Sequence, residues 1–262
     1  MPASSAMGSA QWIEDKLATT RRAARASALA AATVASFSWL LANEALVPLE
    51  QRKGLRGWQR RRFMRRMLKV FAVDVVQEGE APPADGARVV VCNHRSGLDI
   101  PLLASRFDEA FLSRADLGTW PFVGYAARHL GTVFVDRGDH ASRTASVKAM
   151  RRVLEAQEGV IVFPEGSTFA GDEIRPFAAG AFVAAKSLDV TVLPVGVAYE
   201  RSAEYVEKSF GAHLHKVAAL RSVRCALVIG ESRKLGPARA ESERLREEVA
   251  ALTQRARVLV GR

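Results

Sequence analysis

A chain of 262 residues, 48% hydrophobic and 25% charged, carries enough apolar material for one sizeable core, which excludes a disordered, collagen-like or disulfide-stapled protein. Its net charge of +10 calls for a polyanionic partner, whether nucleic acid, anionic lipid or a phosphate-rich small molecule, without choosing among them. Cys92 and Cys225 each sit in an apolar run and read as buried free thiols of a reducing compartment; five histidines without paired Cys or His spacing predict no metal centre.

In chain order, residues 1–25 are small and polar with a mixed-charge patch at Glu14, Asp15 and Lys16, and are expected to form a poorly ordered or short helical N-terminus. Residues 26–42 (ASALAAATVASFSWLLA) come next as seventeen residues without a charge, behind Arg21, Arg22 and Arg25. That length is marginal against the ~20 apolar residues that span a bilayer. A cleaved signal peptide is the rival reading, disfavoured by the late start of the run, the acids before it and the lack of a clean small-x-small site after it. Residues 51–69 (QRKGLRGWQRRRFMRRMLK) are rich in Arg and Lys without an acid, with Leu55, Trp58 and Phe63, Met67 at helical spacings. This pattern predicts a basic amphipathic helix on an anionic membrane surface. A charged helix packing its stripe on the domain is the plain alternative. A nucleic-acid arm is a third, and it lacks base-stacking elements nearby. Residues 26–70 are thus expected to be a membrane anchor.

Beyond Pro82-Pro83, β-rich runs at 88–92, 132–135, 160–163, 190–197 and 224–229 alternate with helix-like segments at 99–107, 121–130, 142–157, 180–188 and 239–258. Runs of β-branched residues without alternation predict strands buried on both faces. The expected fold class is therefore α/β, a central, mostly parallel sheet flanked by helices.

Three strand ends could carry chemistry. In VCNHRSGLDIP (91–101), a tight turn would bring the Asp99 carboxylate against one imidazole nitrogen of His94, leaving the other free to take a proton from a hydroxyl. A plain reading makes Asp99 an N-cap and His94 a turn residue. In FPEGSTFAGDEIRPF (163–177), the N–H groups around Gly166, Ser167 and Thr168 could bind an anion with help from Arg175, or form only a structural turn. The strand at 132–135 leads into Asp136-Arg137, where a guanidinium could hold a phosphate or pair with its neighbour.

Taken together, NHRSGLD at 93–99, TVFVDRG at 132–138, FPEGST at 163–168 and VLPVGV at 192–197 resemble, in the family's order, the blocks of the glycerolipid acyltransferases that include the 1-acylglycerol-3-phosphate acyltransferases. The resemblance implies an acyltransferase catalytic domain at 71–262 behind an N-terminal membrane-associated helical segment. It implies His94 as general base and Asp99 as its orienting partner, with Arg137, Glu165 and Gly166 positioning the acceptor headgroup. The expected reaction moves an acyl group from acyl-CoA or acyl-carrier protein, as co-substrate, to a lysolipid hydroxyl, giving phosphatidate from 1-acylglycerol-3-phosphate (lysophosphatidic acid). No metal or redox cofactor and no nucleic acid is expected, and the place of action is the cytoplasmic face of the cell membrane. Ser167-Thr168 departs from the family's Thr-Arg, which removes the arginine expected on the acceptor phosphate and leaves Arg175 as a candidate substitute. The same departure keeps open a lyso-aminolipid acceptor such as lyso-ornithine lipid. A non-catalytic membrane-surface lipid-binding protein is the alternative outside enzymes.

Overall fold

Alanine is the best helix former, and the chain has no proline between Pro2 and Pro48, so a single helix, α1 (Ala3–Glu44), takes up the whole N-terminus. The computed structural model describes residues 3–83, 85–114, 133–135 and 140–261. Within them, the expected division at residue 25 is not a break. The N-terminus expected at 1–25 as poorly ordered or short helical is, from Ala3 on, helix that continues into the apolar run. Arg25 is instead where α1 is fastened. It is 9% exposed, and its guanidinium donates to Val70 O (2.9 Å), Ala218 O (3.1 Å), Leu220 O (2.7 Å) and Arg221 O (3.2 Å). A cation among carbonyls left over at helix ends satisfies acceptors and complements the helix dipole.

Pro48 precedes α2 (Leu49–Val70), which folds back along α1. The rings of Trp39 and Trp58 lie 5.2 Å apart, and Gln59 Nε2 donates to Ser36 O (3.0 Å). The basic helix is thus present, with part of its pattern spent inward: Leu68 enters the core, and Arg60 is buried with its guanidinium on the Asp108 carbonyl. Lys53, Arg56, Arg62, Arg65 and Lys69 remain on the exposed face.

The body is one sheet. Its strands are β1 (Val73–Glu78), β2 (Arg88–Cys92), β3 (Ala110–Arg114), β4 (Val133–Val135), β5 (Val160–Val162), β6 (Thr191–Tyr199), β7 (Val223–Ile229) and β8 (Arg233–Lys234). They stand in the order β1-β7-β6-β2-β5-β3-β4, with β8 also on β6. The pairings of β7 and β8 with β6 are antiparallel and the other five are parallel, as a mostly parallel sheet requires. β2 lies between β5 and β6 in register Val89↔Val160 and Val89↔Val192. Every residue of β2 is buried.

Val90 and Cys92 point to one face, where α2, α3 (Asp99–Ala104) and α6 (Phe210–Val217) contribute Leu68, Leu102 and Val217. Val89 and Val91 point to the other, against Leu154 of α4 (His140–Glu155), Phe182 of α5 (Gly180–Ala184) and Leu245 and Val249 of α7 (Ala238–Val260). Burial on both faces is why these strands read as continuous apolar runs. Cys92 and Cys225 are buried free thiols, and burial pushes both well above the ordinary thiol range.

The expected strands and helices at 88–92, 142–157, 160–163, 180–188, 190–197, 224–229 and 239–258 are present with shifted ends. β1, β3 and α6 were not legible. VDVVQE of β1 alternates with polar residues, AFLSR of β3 is short, and FGAHLHKV of α6 mixes glycine and histidines. The expected helix at 99–107 ends at Ala104. The helix expected at 121–130 and the residues around Arg137 lie outside the described residues.

Gly196 lets α7 lie against β6. A Cβ there would sit 2.3 Å from Leu252 C and 2.4 Å from Thr253 N, both backbone atoms of α7. Gly196→Ala should therefore force the helix off the sheet and cost at least the ~1–3 kcal/mol typical of overpacking. A denaturation midpoint equal to that of the parent protein would contradict this packing.

Candidate active site

β2 ends at Cys92, yet the pairing with β6 goes one residue further through a side chain. Asn93 Nδ2 donates to Val197 O and Asn93 Oδ1 accepts from Val197 N, both at 2.8 Å. An asparagine amide here copies a backbone pair, so the chain can leave the sheet at residue 93 without orphaning β6. Past Asn93 the chain enters a turn closed by Asp99 N donating to Ser96 O (3.1 Å).

In that turn His94 Nδ1 and Asp99 Oδ2 lie 2.6 Å apart, and the same oxygen accepts from Arg95 N (2.7 Å) and Ser96 N (2.9 Å). The Asp99 side chain is fully buried, whereas 18% of the His94 side chain is exposed. An acceptor already holding two N–H donors demands a third donor from the imidazole. Nδ1 therefore carries the ring proton, and Nε2 is left with a lone pair. Phe163 stacks on the imidazole at 4.1 Å and fixes its plane. The contact read from the motif is thus made, whereas the N-cap reading of Asp99 is not met: Leu98 takes that position, and the Asp99 carboxylate holds the N–H groups of Arg95 and Ser96, which precede α3.

The second loop leaves β5 at Phe163. Gly166, at φ +75, makes the turn that lets its N–H reach Phe163 O (3.0 Å), a backbone region that suits glycine. Glu165 departs from the expected headgroup role. Its side chain is fully buried and accepts from His94 N (2.9 Å), from Arg95 Nη1 (2.8 Å) and Nη2 (3.2 Å), and from Arg175 N (3.1 Å). A carboxylate so enclosed holds the His94 turn. Ser167 is exposed and Thr168 partly so, and their hydroxyls make no protein hydrogen bond among the described residues. The Arg175 guanidinium is half exposed, 5.4 Å over the Phe169 ring and only loosely on Glu173 (3.4 Å). Phe169 N donates to His94 O (3.1 Å), which puts Arg175's loop beside the dyad. Arg137 lies outside the described residues.

Two supports had no motif to announce them. Arg95, enclosed with no exposed side-chain surface, pairs with Glu165 and also donates to Glu173 O (2.8 Å). His213 of α6 sits behind the turn, its Nε2 accepting from Gly97 N (3.0 Å) and lying 3.1 Å from Ser96 Oγ. Its Nδ1–H donates to Glu207 (2.9 Å), which also pairs with Lys216 (2.7 Å). Burial lowers the His213 imidazole against the pull of Glu207, which keeps it neutral. Burial pushes the Glu207 carboxyl up, but hydrogen bonds from Lys216, His213 and the Val206 N–H outweigh it and bring it to about 2. Ser96, the hydroxyl beside His94, is fully buried and donates to Ala203 O (2.9 Å), so it is not a free nucleophile. No cluster of three or more His, Cys, Asp or Glu that could hold a metal occurs among the described residues.

The chain matches the Acyltransferase family model over residues 73–198. It is 32% identical over 185 residues to a lyso-ornithine lipid O-acyltransferase of Pseudomonas aeruginosa, covering 69% of this chain and 68% of that protein. It is 29% identical over 119 residues to a 1-acyl-sn-glycerol-3-phosphate acyltransferase of Neisseria gonorrhoeae, covering 45% and 47%. The crystal structure of PlsC, the 1-acyl-sn-glycerophosphate acyltransferase of Thermotoga maritima, superposes with a TM-score of 0.72 at 22% identity, covering 95% of this chain and 98% of that one.

Because His213 is held neutral in the fold, the unfolded chain takes up protons first as pH falls through the ordinary histidine value of ~6.5. Stability should decline from pH 7 toward 5 for that reason. Glu207 adds a further loss only below the ordinary glutamate value of ~4.3. His213→Gln should flatten the decline of the thermal midpoint between pH 7 and 5; an unchanged slope would remove His213 from this role.

Proposed function

From the premise that this chain belongs to the acyltransferase family, we propose that it is a membrane-lipid O-acyltransferase in which His94 is the general base and Asp99 its orienting partner. It moves an acyl group to a lysolipid hydroxyl. The observation that carries the reading is the imidazole of a partly exposed histidine held at 2.6 Å by a buried carboxylate.

In the reaction the lysolipid hydroxyl gives its proton to His94 Nε2 as its oxygen attacks the thioester carbonyl. Asp99 steadies the imidazolium that forms. Collapse of the tetrahedral intermediate breaks the C–S bond, and His94 returns the proton to the departing sulfur. The donor is acyl-CoA or acyl-carrier protein, and no metal or redox cofactor takes part.

The hairpin supports membrane association. α1 is long and apolar enough to cross a membrane, and only 11% of its apolar window is buried, unlike the core helix of a soluble protein. Val34 and Leu41 stand open on it, with Leu46 on the turn beyond and Leu49 at the start of α2. The seventeen-residue apolar run is about 25 Å long at ~1.5 Å per residue, against ~30 Å of hydrocarbon. At its base a cleft of about 460 Å³ is lined by Arg21, Arg22, His215, Lys216 and Arg221 with Glu14, a setting for anionic headgroups. We place the enzyme on the cytoplasmic face, where its thioester donors and free thiols belong.

The leading acceptor is 1-acylglycerol-3-phosphate. Lyso-ornithine lipid is the second, favoured by Ser167-Thr168 in place of a phosphate-binding arginine and by the activity named for the Pseudomonas aeruginosa relative. Labelled oleoyl-CoA and oleoyl-carrier protein offered with each acceptor should give His94-dependent transfer, His94→Ala losing about 10²–10⁴-fold in rate. Transfer that survives in the variant would reject the dyad, and no transfer to either lysolipid would favour a lipid-binding role. If lysophosphatidate is accepted, Arg175→Ala should raise its KM about tenfold or more, the worth of one charge-assisted hydrogen bond. An unchanged KM would rule Arg175 out as the substitute phosphate ligand.

A further inference from the structure

The contacts that hold Asp99 in its turn all use one of its two oxygens. Oδ2 meets His94 Nδ1, Arg95 N and Ser96 N, while Oδ1 has no hydrogen-bond partner among the described residues, in a side chain with no exposed surface. Buried polar atoms are nearly always paired, because an orphaned one keeps the full cost of leaving water. A second orphan belongs to Tyr199, the last residue of β6. It too is fully buried, and its hydroxyl has no formed hydrogen bond among the described residues.

These two orphans belong together. Tyr199 lies in the core cluster that includes Leu98, the residue before Asp99, and Leu102 and Leu103 of α3, and so sits on the face of the sheet that α3 covers. Its backbone is fixed nearby, with the Arg257 guanidinium on its carbonyl and Asn93 clamping Val197 two residues before it. Burial first, and then the Asp99 charge and its hydrogen-bonding reach, push the phenol well above its ordinary range, so it keeps its proton. The other titratable groups acting on it are the thiols of Cys225 on β7 and Cys92 on β2, both pushed up by burial and neutral. Among the described residues that act on the phenol, Asp99 is therefore the one that carries a charge.

We propose that Tyr199 is a positioning residue for the dyad, its hydroxyl donating to Asp99 Oδ1 and so holding the carboxylate with Oδ2 on His94 Nδ1. The inference rests on the reading of His94 and Asp99 as the catalytic pair. With the phenol in place the carboxylate cannot turn away from the imidazole, and part of the negative charge that would otherwise raise the basicity of His94 is drawn off.

The test is Tyr199→Phe in the full-length membrane-bound enzyme, with kcat and KM measured from pH 5 to 9 beside His94→Ala. Loss of the donor should lower kcat about tenfold, the worth of one hydrogen bond to a charged group, and leave both KM values within about twofold. The acid limb of the profile should move to higher pH, since a carboxylate without the phenol makes His94 more basic. An unmoved acid limb would overturn the proposal, whether kcat held or fell together with the thermal midpoint as a packing defect would make it. Site-specific 3-fluorotyrosine at 199, a stronger donor of nearly the same shape, should move the limb the opposite way and covers the case in which the phenylalanine variant does not fold. An active His94→Ala would sink the underlying dyad; an inactive one beside an unperturbed Tyr199→Phe would sink this inference alone.

Discussion

The interaction on which the site depends is the enclosed ion pair of Arg95 and Glu165. Neither side chain has exposed surface, and Arg95 meets Glu165 at 2.8 and 3.2 Å. Taking two charges out of water is costly unless their remaining donors and acceptors are also used. Most are: Glu165 takes the His94 and Arg175 N–H groups, and Arg95 gives to the carbonyls of His94 and Glu173. The pair therefore locks the turn after β2 to the loop after β5. Losing one partner would leave the other charged and buried. The dyad owes its geometry to this lock and to two further supports, the Asn93 clamp on β6 and His213 behind Ser96 and Gly97.

α6 ties the His94 turn to the N-terminal hairpin. Inside the helix His213 holds Gly97 N, while the carbonyls at and beyond its end, from Val217 to Arg221, receive the Arg25 guanidinium of α1. The helix expected to meet the membrane and the turn that carries His94 are thus separated by one short helix. Arg25 also takes the Val70 carbonyl at the end of α2, so one buried cation fixes both arms of the hairpin to the body.

In the basic stretch at 51–69 the structure shows the packing that the plain reading expected, with charges left over on the outer face. Alternating demands are met by one helix because 3.6 residues per turn separate its faces. Leu68 and Gln59 pack inward, Arg60 is drawn onto Asp108, and Lys53, Arg56, Arg62, Arg65 and Lys69 are left outward as a cationic strip. Charge count alone could not tell a buried arginine from an exposed one.

What the sequence determined by itself was what depends on neighbours along the chain. The buried strands were legible because unbroken runs such as Arg88–Cys92 fit only a sheet covered on both faces. His94 and Asp99 were legible because they lie five residues apart in a single turn after a strand. Tertiary structure alone decided the rest, because it depends on groups far apart in sequence. Arg95 and Glu165 are 70 residues apart, and Gly97 and His213 are 116 apart. Glu165 read as a headgroup ligand from its loop, and only burial against Arg95 shows that its oxygens are already spent. The same distance hid the buried hydroxyl of Tyr199, which shares a core cluster with Leu98 although 101 residues separate them.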